Sequence, residues 1–277
     1  MKNIVIDVQE LSKSFGTHHA IEKCSYQIQK GEIFGFLGPS GAGKTTTIKL
    51  LTGQLHSDEG IISILNENPF SEVIKNKIGI MSDNSGLYEK MSVYDNLKLF
   101  ADIYGVEYSR VDEVLNEVDL YDNRKKLVEK LSRGMRQRVI FARTILHSPE
   151  ILFLDEPTAN LDPATAQEVR NIIKKLNNNG STVFLTTHNM EEADELCDRV
   201  AFLNKGHIIE CGKPHDLKLK YSKQTISLLS NQGEKIIPLD KELLIKELQD
   251  MNELKKIHSI EPTMKEVFLM LTEGENL

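Results

Sequence analysis

A chain of 277 residues has room for one large domain and a smaller appendage. Its formal charge of -7 and pI near 5.7 leave no basic footprint, which argues against nucleic acid as a partner. Cys24, Cys197 and Cys211 stand far apart with no C-x-x-C pair, as reduced core thiols do, and no apolar run reaches the ~18 residues of a membrane span. The acidic start of the chain does not suit a signal peptide either, so the protein is not expected to be a membrane span itself.

In chain order, residues 4 to 8 and 21 to 28 read as antiparallel strands, joined by a polar connection over 12 to 19 that turns at Phe15-Gly16. Residues 32 to 37 form a short apolar run expected to be a buried strand, and Thr46-Thr47-Ile48-Lys49-Leu50-Leu51 continues as a helix. Between them stands Gly38-Pro39-Ser40-Gly41-Ala42-Gly43-Lys44-Thr45, which fits G-x-x-x-x-G-K-[ST]. Strand, loop, helix is the setting this phosphate-binding pattern requires. The glycines let successive N–H groups point into one concavity, and the following helix adds its positive dipole end there. Lys44 would reach the β- and γ-phosphates, and the Thr45 hydroxyl would ligate the Mg²⁺ that accompanies them. A glycine-rich turn without a ligand explains neither the lysine nor the threonine.

Residues 60 to 65 read as a further strand. Ser92 is placed to cap a helix with Asp95 three residues on, and shorter helices are expected over 110 to 118 and 122 to 130. A helix from 132 to 146 leads to the strand at 151 to 154, which ends in Asp155-Glu156-Pro157. Two carboxylates therefore stand at the carboxyl edge of the sheet, where α/β folds bind ligands. Asp155 would hold the Mg²⁺ shell, and Glu156 would act as general base on the attacking water. Asp162 as N-cap and Pro163 as first residue open a helix to 177. A strand at 182 to 186, a short helix at 191 to 197 and two strands around Asn204-Lys205-Gly206 complete the core. Strands alternating with helices argue for a mostly parallel sheet covered on both faces. Past residue 222 the pattern shifts to short strands at 225 to 229 and 235 to 239, a helix at 241 to 248, and a last helix at 263 to 271 with Thr263 and Glu266 as a capping box.

Leu131-Ser132-Arg133-Gly134-Met135-Arg136-Gln137-Arg138 resembles the Leu-Ser-Gly-Gly-Gln signature of the ATP-binding cassette (ABC) ATPases. With Walker A at 38 to 45, Walker B at 151 to 156, Asn160-Leu161-Asp162 resembling the D-loop and Thr187-His188 the switch histidine, the similarity runs over residues 3 to 220. The resemblance implies a P-loop NTPase core with an antiparallel β subdomain and an inserted helical subdomain at about 85 to 150. That ATPase domain would fill residues 1 to 222, and a small α+β accessory domain 223 to 277. It implies that two cassettes sandwich two ATP molecules, with Ser132 and Gly134 donating to a γ-phosphate held by the facing subunit, and that His188 touches a γ-phosphate and senses its loss. Phe15 stands where the family has an adenine-stacking tyrosine; packing as a core anchor is its other reading. His18 and His19 read as solvated loop residues. Arg133 and Met135 depart from the signature. Asp83 replaces the usual Q-loop glutamine as an oxygen donor toward Mg²⁺, unless a one-residue slip puts Asn84 there.

The family implies a separate transmembrane permease as partner, at the cytoplasmic face of the membrane, and a second copy or a related cassette. Residues 261 to 272 resemble the ending typical of the drug, antibiotic and peptide exporter branch. A non-transport ABC ATPase, with tandem cassettes and basic surfaces, and a catalytically weak scaffold cassette are the competing readings.

Overall fold

Ile4–Phe15 (β1) and His18–Gln29 (β2) form a hairpin around Gly16-Thr17, and β1 pairs on its other side with Glu59–Ile64 (β4), in the antiparallel order β2-β1-β4. The expected polar connection over 12 to 19 is therefore strand almost throughout. Its polar residues find partners: the Lys13 Nζ donates to Asp58 Oδ1 at 2.6 Å and the Ser14 N–H to Asp58 Oδ2 at 2.7 Å. The structure is a computed structural model describing residues 3–82, 86–231, 233–251 and 253–273. The chain divides into two compact units, 1–211 and 212–277.

The main sheet of the first unit has six strands in the order β5-β6-β7-β3-β8-β9. They are Ile33–Leu37 (β3), Ile78–Met81 (β5), Ile151–Asp155 (β6), Thr182–Thr187 (β7), Arg199–Asn204 (β8) and His207–Gly212 (β9). β5 through β8 and β3 pair in parallel. Every residue of β3, β6 and β7 is buried, as in a sheet covered on both faces; β3 and β6 are near-continuous apolar runs, and β7 adds three threonines to Val183-Phe184-Leu185. The helices of this unit are Lys44–Leu51 (α1), Glu72–Lys75 (α2), Val93–Tyr104 (α3), Tyr108–Glu117 (α4), Arg133–Ile145 (α5), Pro163–Asn178 (α6) and Met190–Leu196 (α7). Ser92 caps α3 as expected, its side chain accepting from the Asp95 N–H at 3.0 Å. Residues 122 to 130, expected as a helix, contain only parts of two single 3-10 turns, Tyr121–Asn123 and Val128–Lys130. Their polar residues offer no 3.6-residue apolar stripe to bury.

Tyr26 of β2 stacks on Phe34 of β3 with ring centroids 5.7 Å apart, and Phe36, Phe153 and Phe184 extend the cluster, so the antiparallel sheet and the parallel sheet share one core. The register aligns Leu37 with Thr187 and Asp155 with Thr186. β3, β6 and β7 thus end together at one carboxyl edge, and this alignment positions the site.

The second unit holds Pro214–Lys220 (α8), Thr225–Ser230 (β10), Gly233–Pro238 (β11), Lys241–Asp250 (α9), Leu254–Ile260 (β12) and Met264–Glu273 (α10), with its antiparallel strands in the order β11-β10-β12. Ile226, Leu228 and Ile237 form its small core against Leu243, Leu244, Leu248 and Met251. The Thr263–Glu266 capping box forms: the Glu266 N–H donates to Thr263 Oγ1 at 3.2 Å and the Thr263 N–H to Glu266 Oε2 at 2.7 Å. Among the described residues no helix is long and apolar enough to cross a membrane.

Candidate nucleotide site

Residues 38 to 45 leave β3 at its carboxyl edge and enter α1. Gly38 and Gly43 are glycine by necessity: a Cβ on Gly38 would lie 2.3 Å from the Leu203 carbonyl oxygen, and one on Gly43, at φ +110°, 2.3 Å from that of Ala20. The chain curls tightly enough for the Lys44 ammonium to donate back to the carbonyls of Gly38 at 2.8 Å and Pro39 at 3.1 Å. Lys44 is 7% exposed, so its charge is held inside the cup.

The end of β6, separated from β3 by β7, supplies the acids. Asp155 is buried at the end of β6, accepting from the Thr45 hydroxyl at 2.8 Å and from the Thr186 hydroxyl at 2.5 Å. Glu156 turns out of the strand with φ +49°, a left-handed conformation uncommon outside glycine. Its N–H donates to the Thr186 carbonyl at 3.1 Å, which holds the turn. The Glu156 carboxylate then spans two cationic or donor groups: Oε1 is 3.3 Å from Lys44 Nζ, and Oε2 is 2.6 Å from His188 Nδ1. Because a carboxylate only accepts, Nδ1 carries the proton in that bond.

Phe15, Pro39, Ser40, Gly41, Gly43, Lys44, Thr45, Thr46, Glu156 and His188 line one cavity of about 690 Å³. Gly38, Ala42 and Asp155 are not among its lining residues. Phe15 is 50% exposed at the end of β1, beside the cavity and not in the core. Asp83 and Asn84 lie outside the described residues. His18, expected as a solvated loop residue, is exposed but opens β2 opposite Phe15 and lines the cavity; His19 is likewise on β2 and pairs its Nδ1 with Ser14 Oγ at 2.9 Å.

Ser132, Gly134 and Asp162 do not line this cavity. Ser132 caps α5, accepting from the Met135 N–H at 3.2 Å, and Asp162 caps α6, accepting from Thr165 N–H at 3.1 Å and Thr165 Oγ1 at 2.6 Å. Those two bonds hold the Asp162 carboxyl below the usual carboxylate range. Side chains that sequence reasoning passed over tie these parts together. The Gln137 amide donates to the Pro157 carbonyl at 2.8 Å, joining α5 to the turn after Glu156. The Thr158 hydroxyl donates to Glu192 Oε1 at 2.6 Å, joining that turn to α7; burial pushes the Glu192 carboxyl up. Thr186 had a visible signal, a hydroxyl directly after the apolar run Val183-Phe184-Leu185 and two residues before His188.

A glycine-lined phosphate cup at the edge of a parallel sheet, with an acid from the end of β6, two strands away, reaching its lysine, defines a P-loop nucleoside triphosphatase. Residues 21–159 match the family described as ABC transporter. The chain is 42% identical over 209 residues to a fluoroquinolones export ATP-binding protein of Mycobacterium tuberculosis, covering 75% of this chain and 69% of that one. It is 36% identical over 240 residues to a bacitracin transport ATP-binding protein of Bacillus licheniformis, covering 85% and 78%. A solved ATP-binding subunit of an ABC transporter superposes with a TM-score of 0.70 at 25% identity, over 78% of this chain and 93% of that one. The chain belongs to the ABC transporter family, as an ATP-binding cassette ATPase.

Proposed function

We propose that this chain is the ATP-hydrolysing subunit of an exporter, working as a sandwich of two cassettes, two copies of itself or one with a relative, on a separate permease at the cytoplasmic face of the membrane. The exported cargo is a drug, antibiotic, peptide or lipid-like molecule; the fluoroquinolones export and bacitracin transport functions of the relatives support that class. In this reading residues 1 to 222 are the ATPase domain, with the permease received by the helical subdomain at about 85 to 150, and residues 223 to 277 are accessory.

The backbone N–H groups of residues 40 to 45 bind the phosphates, Lys44 neutralises them, and Phe15 stacks on the base. Mg²⁺ fits the donors present: the Thr45 hydroxyl and Asp155 carboxylate stand 2.8 Å apart at the cup, and this ion is commonly held by one or two carboxylates with phosphates completing its shell. Those two residues would hold it, and it would offset the charge on the phosphates. Glu156 takes the proton of the attacking water and His188 orients that carboxylate. Ser132, Gly134 and Asp162 do not line their own cavity, which supports their service to the nucleotide of the facing cassette.

The observation that carries the reading is the Glu156 carboxylate held between Lys44 and His188. Its test is ATP turnover by the chain co-purified with its permease. Glu156→Gln is expected to lower turnover by about 10²–10⁴-fold, the usual worth of a general base. Equal turnover in the two proteins would defeat the catalytic assignment, and normal export by cells carrying Lys44→Ala would favour a scaffold.

A further inference from the structure

Gly134 lies in the first turn of α5, and its Cα faces Thr165 in the first turn of α6. A Cβ built on Gly134 would meet Thr165 Cγ2 at 2.4 Å and Thr165 Oγ1 at 3.1 Å, so the fold tolerates no side chain there while Thr165 keeps its place. Thr165 does not move freely. It is β-branched, with few χ1 rotamers open to it in a helix. Its hydroxyl is tied to Asp162 Oδ2 at 2.6 Å and its N–H to Asp162 Oδ1 at 3.1 Å. Swinging the methyl away from Gly134 means giving up the hydroxyl bond that holds the Asp162 carboxylate.

We infer that Thr165 is a positioning residue that joins the D-loop and the signature turn into one rigid piece, its polar groups fixing Asp162 and its methyl fixing Gly134. The glycine of the signature is then required by a neighbour in its own chain, and not by nucleotide alone. The Arg138–Glu168 pair at 3.8 Å and the Gln137–Pro157 bond at 2.8 Å run alongside the same contact, so α5 is referenced to α6 and to the turn after Glu156 at once. Because catalytic geometry degrades steeply with displacements near 1 Å, a seat of this kind keeps Ser132 and Gly134 in register with Asp162 as a facing nucleotide is clamped. The catalytic consequence rests on the two-cassette reading; the seat itself does not.

The full-length chain tests both. In the Glu156→Gln background, MgATP-dependent dimerisation is followed by light scattering for Gly134→Ala, Thr165→Ala and the double variant, with thermal unfolding of each. Gly134→Ala is expected to raise the ATP concentration needed for dimerisation at least tenfold and to lower the unfolding midpoint. Thr165→Ala added to it leaves the nearest contact at the Thr165 Cβ, 3.4 Å away, and should bring dimerisation back to within threefold of Thr165→Ala alone. With Glu156 intact, Thr165→Val should lower kcat at least fivefold with KM within twofold, and Thr165→Ser, which keeps the hydroxyl, should restore kcat. A double variant restored in stability but still unable to dimerise assigns the glycine to the nucleotide and overturns the inference. Additive losses of stability overturn the seat as well. If the Glu156→Gln chain never dimerises with MgATP, the two-cassette reading fails, and the stability cycle still decides whether Thr165 seats Gly134.

Discussion

His188 Nδ1 stands 2.6 Å from Glu156 Oε2, and that carboxylate's other oxygen is 3.3 Å from Lys44 Nζ. In the proposed mechanism the histidine would act through the glutamate, holding a carboxylate that already sits on an unusual left-handed backbone at φ +49°. His188→Ala is expected to lower turnover by about 10²-fold, near the lower end for a single acid–base group, and to leave ATP binding nearly intact. Residues acting as a unit are non-additive, so His188→Ala combined with Glu156→Gln should be no slower than the slower single variant. Single-turnover rates of the three proteins decide it; multiplying losses would mean that the two side chains work separately.

Phe15 keeps an aromatic face at the cavity mouth with half its surface exposed. Base–aromatic stacking is worth about 1–3 kcal/mol, which converts to roughly 5- to 150-fold in affinity. Phe15→Ala should weaken ATP binding within that range, while Phe15→Tyr stays within about twofold. Equal affinities for the alanine variant and the wild type, measured by calorimetry, would return Phe15 to a packing role.

His147 ties the end of α5 to β5. Its Nε2 is 2.9 Å from the Ile78 carbonyl, and the ring stacks on Tyr104 at 4.2 Å. Since a carbonyl only accepts, Nε2 carries the proton and Nδ1 is left buried without a hydrogen-bond partner among the described residues. Burial holds this imidazole below the usual histidine range. A histidine with a depressed folded value contributes stability that is complete above its unfolded value near 6.5 and is lost as pH falls through the folded value. The urea midpoint of the wild type should therefore drop between pH 7 and pH 5 more steeply than that of His147→Gln, which keeps a donor but does not titrate. Parallel curves would remove His147 as the cause.

The phosphate loop, the acids at the end of β6 and the caps of α3, α6 and α10 were legible in the sequence because each is set by local chemistry: a glycine pattern, a buried apolar run ending in carboxylates, a side-chain oxygen before a helix. What escaped was set by partners distant in the chain. β5 is four residues around Gly79, where a Cβ would lie 2.5 Å from the Thr144 carbonyl oxygen, and so short a run has no readable period. β12 carries Lys255 and Lys256 and is exposed along nearly its whole length, so it shows no apolar alternation. The polar end of β1 is strand because β2 and β4 flank it, with bulges that break the alternation near Gln9 to Ser12. In the site, Glu156 facing Lys44 follows from the fold alone, whereas the contact between Gly134 and Thr165 needs the packing of α5 on α6.

Tyr26 offers a test of the shared core. It is 7% exposed, stacked on Phe34, and its hydroxyl has no hydrogen-bond partner among the described residues. Burial holds the phenol well above the usual tyrosine range, so the group stays neutral through ordinary alkaline pH. A buried polar group left unpaired costs about 1–3 kcal/mol, while removing one oxygen leaves only a small void. Tyr26→Phe should therefore stabilise the first unit by about 1 kcal/mol, raising its unfolding midpoint by roughly 2–4 °C for a domain of this size. Tyr26→Ala, by contrast, should cost about 3–5 kcal/mol, the usual loss for an aromatic core residue. If the phenylalanine variant melts lower than the wild type by the worth of a hydrogen bond, the hydroxyl has a partner and the dry aromatic core between the two sheets is the wrong description.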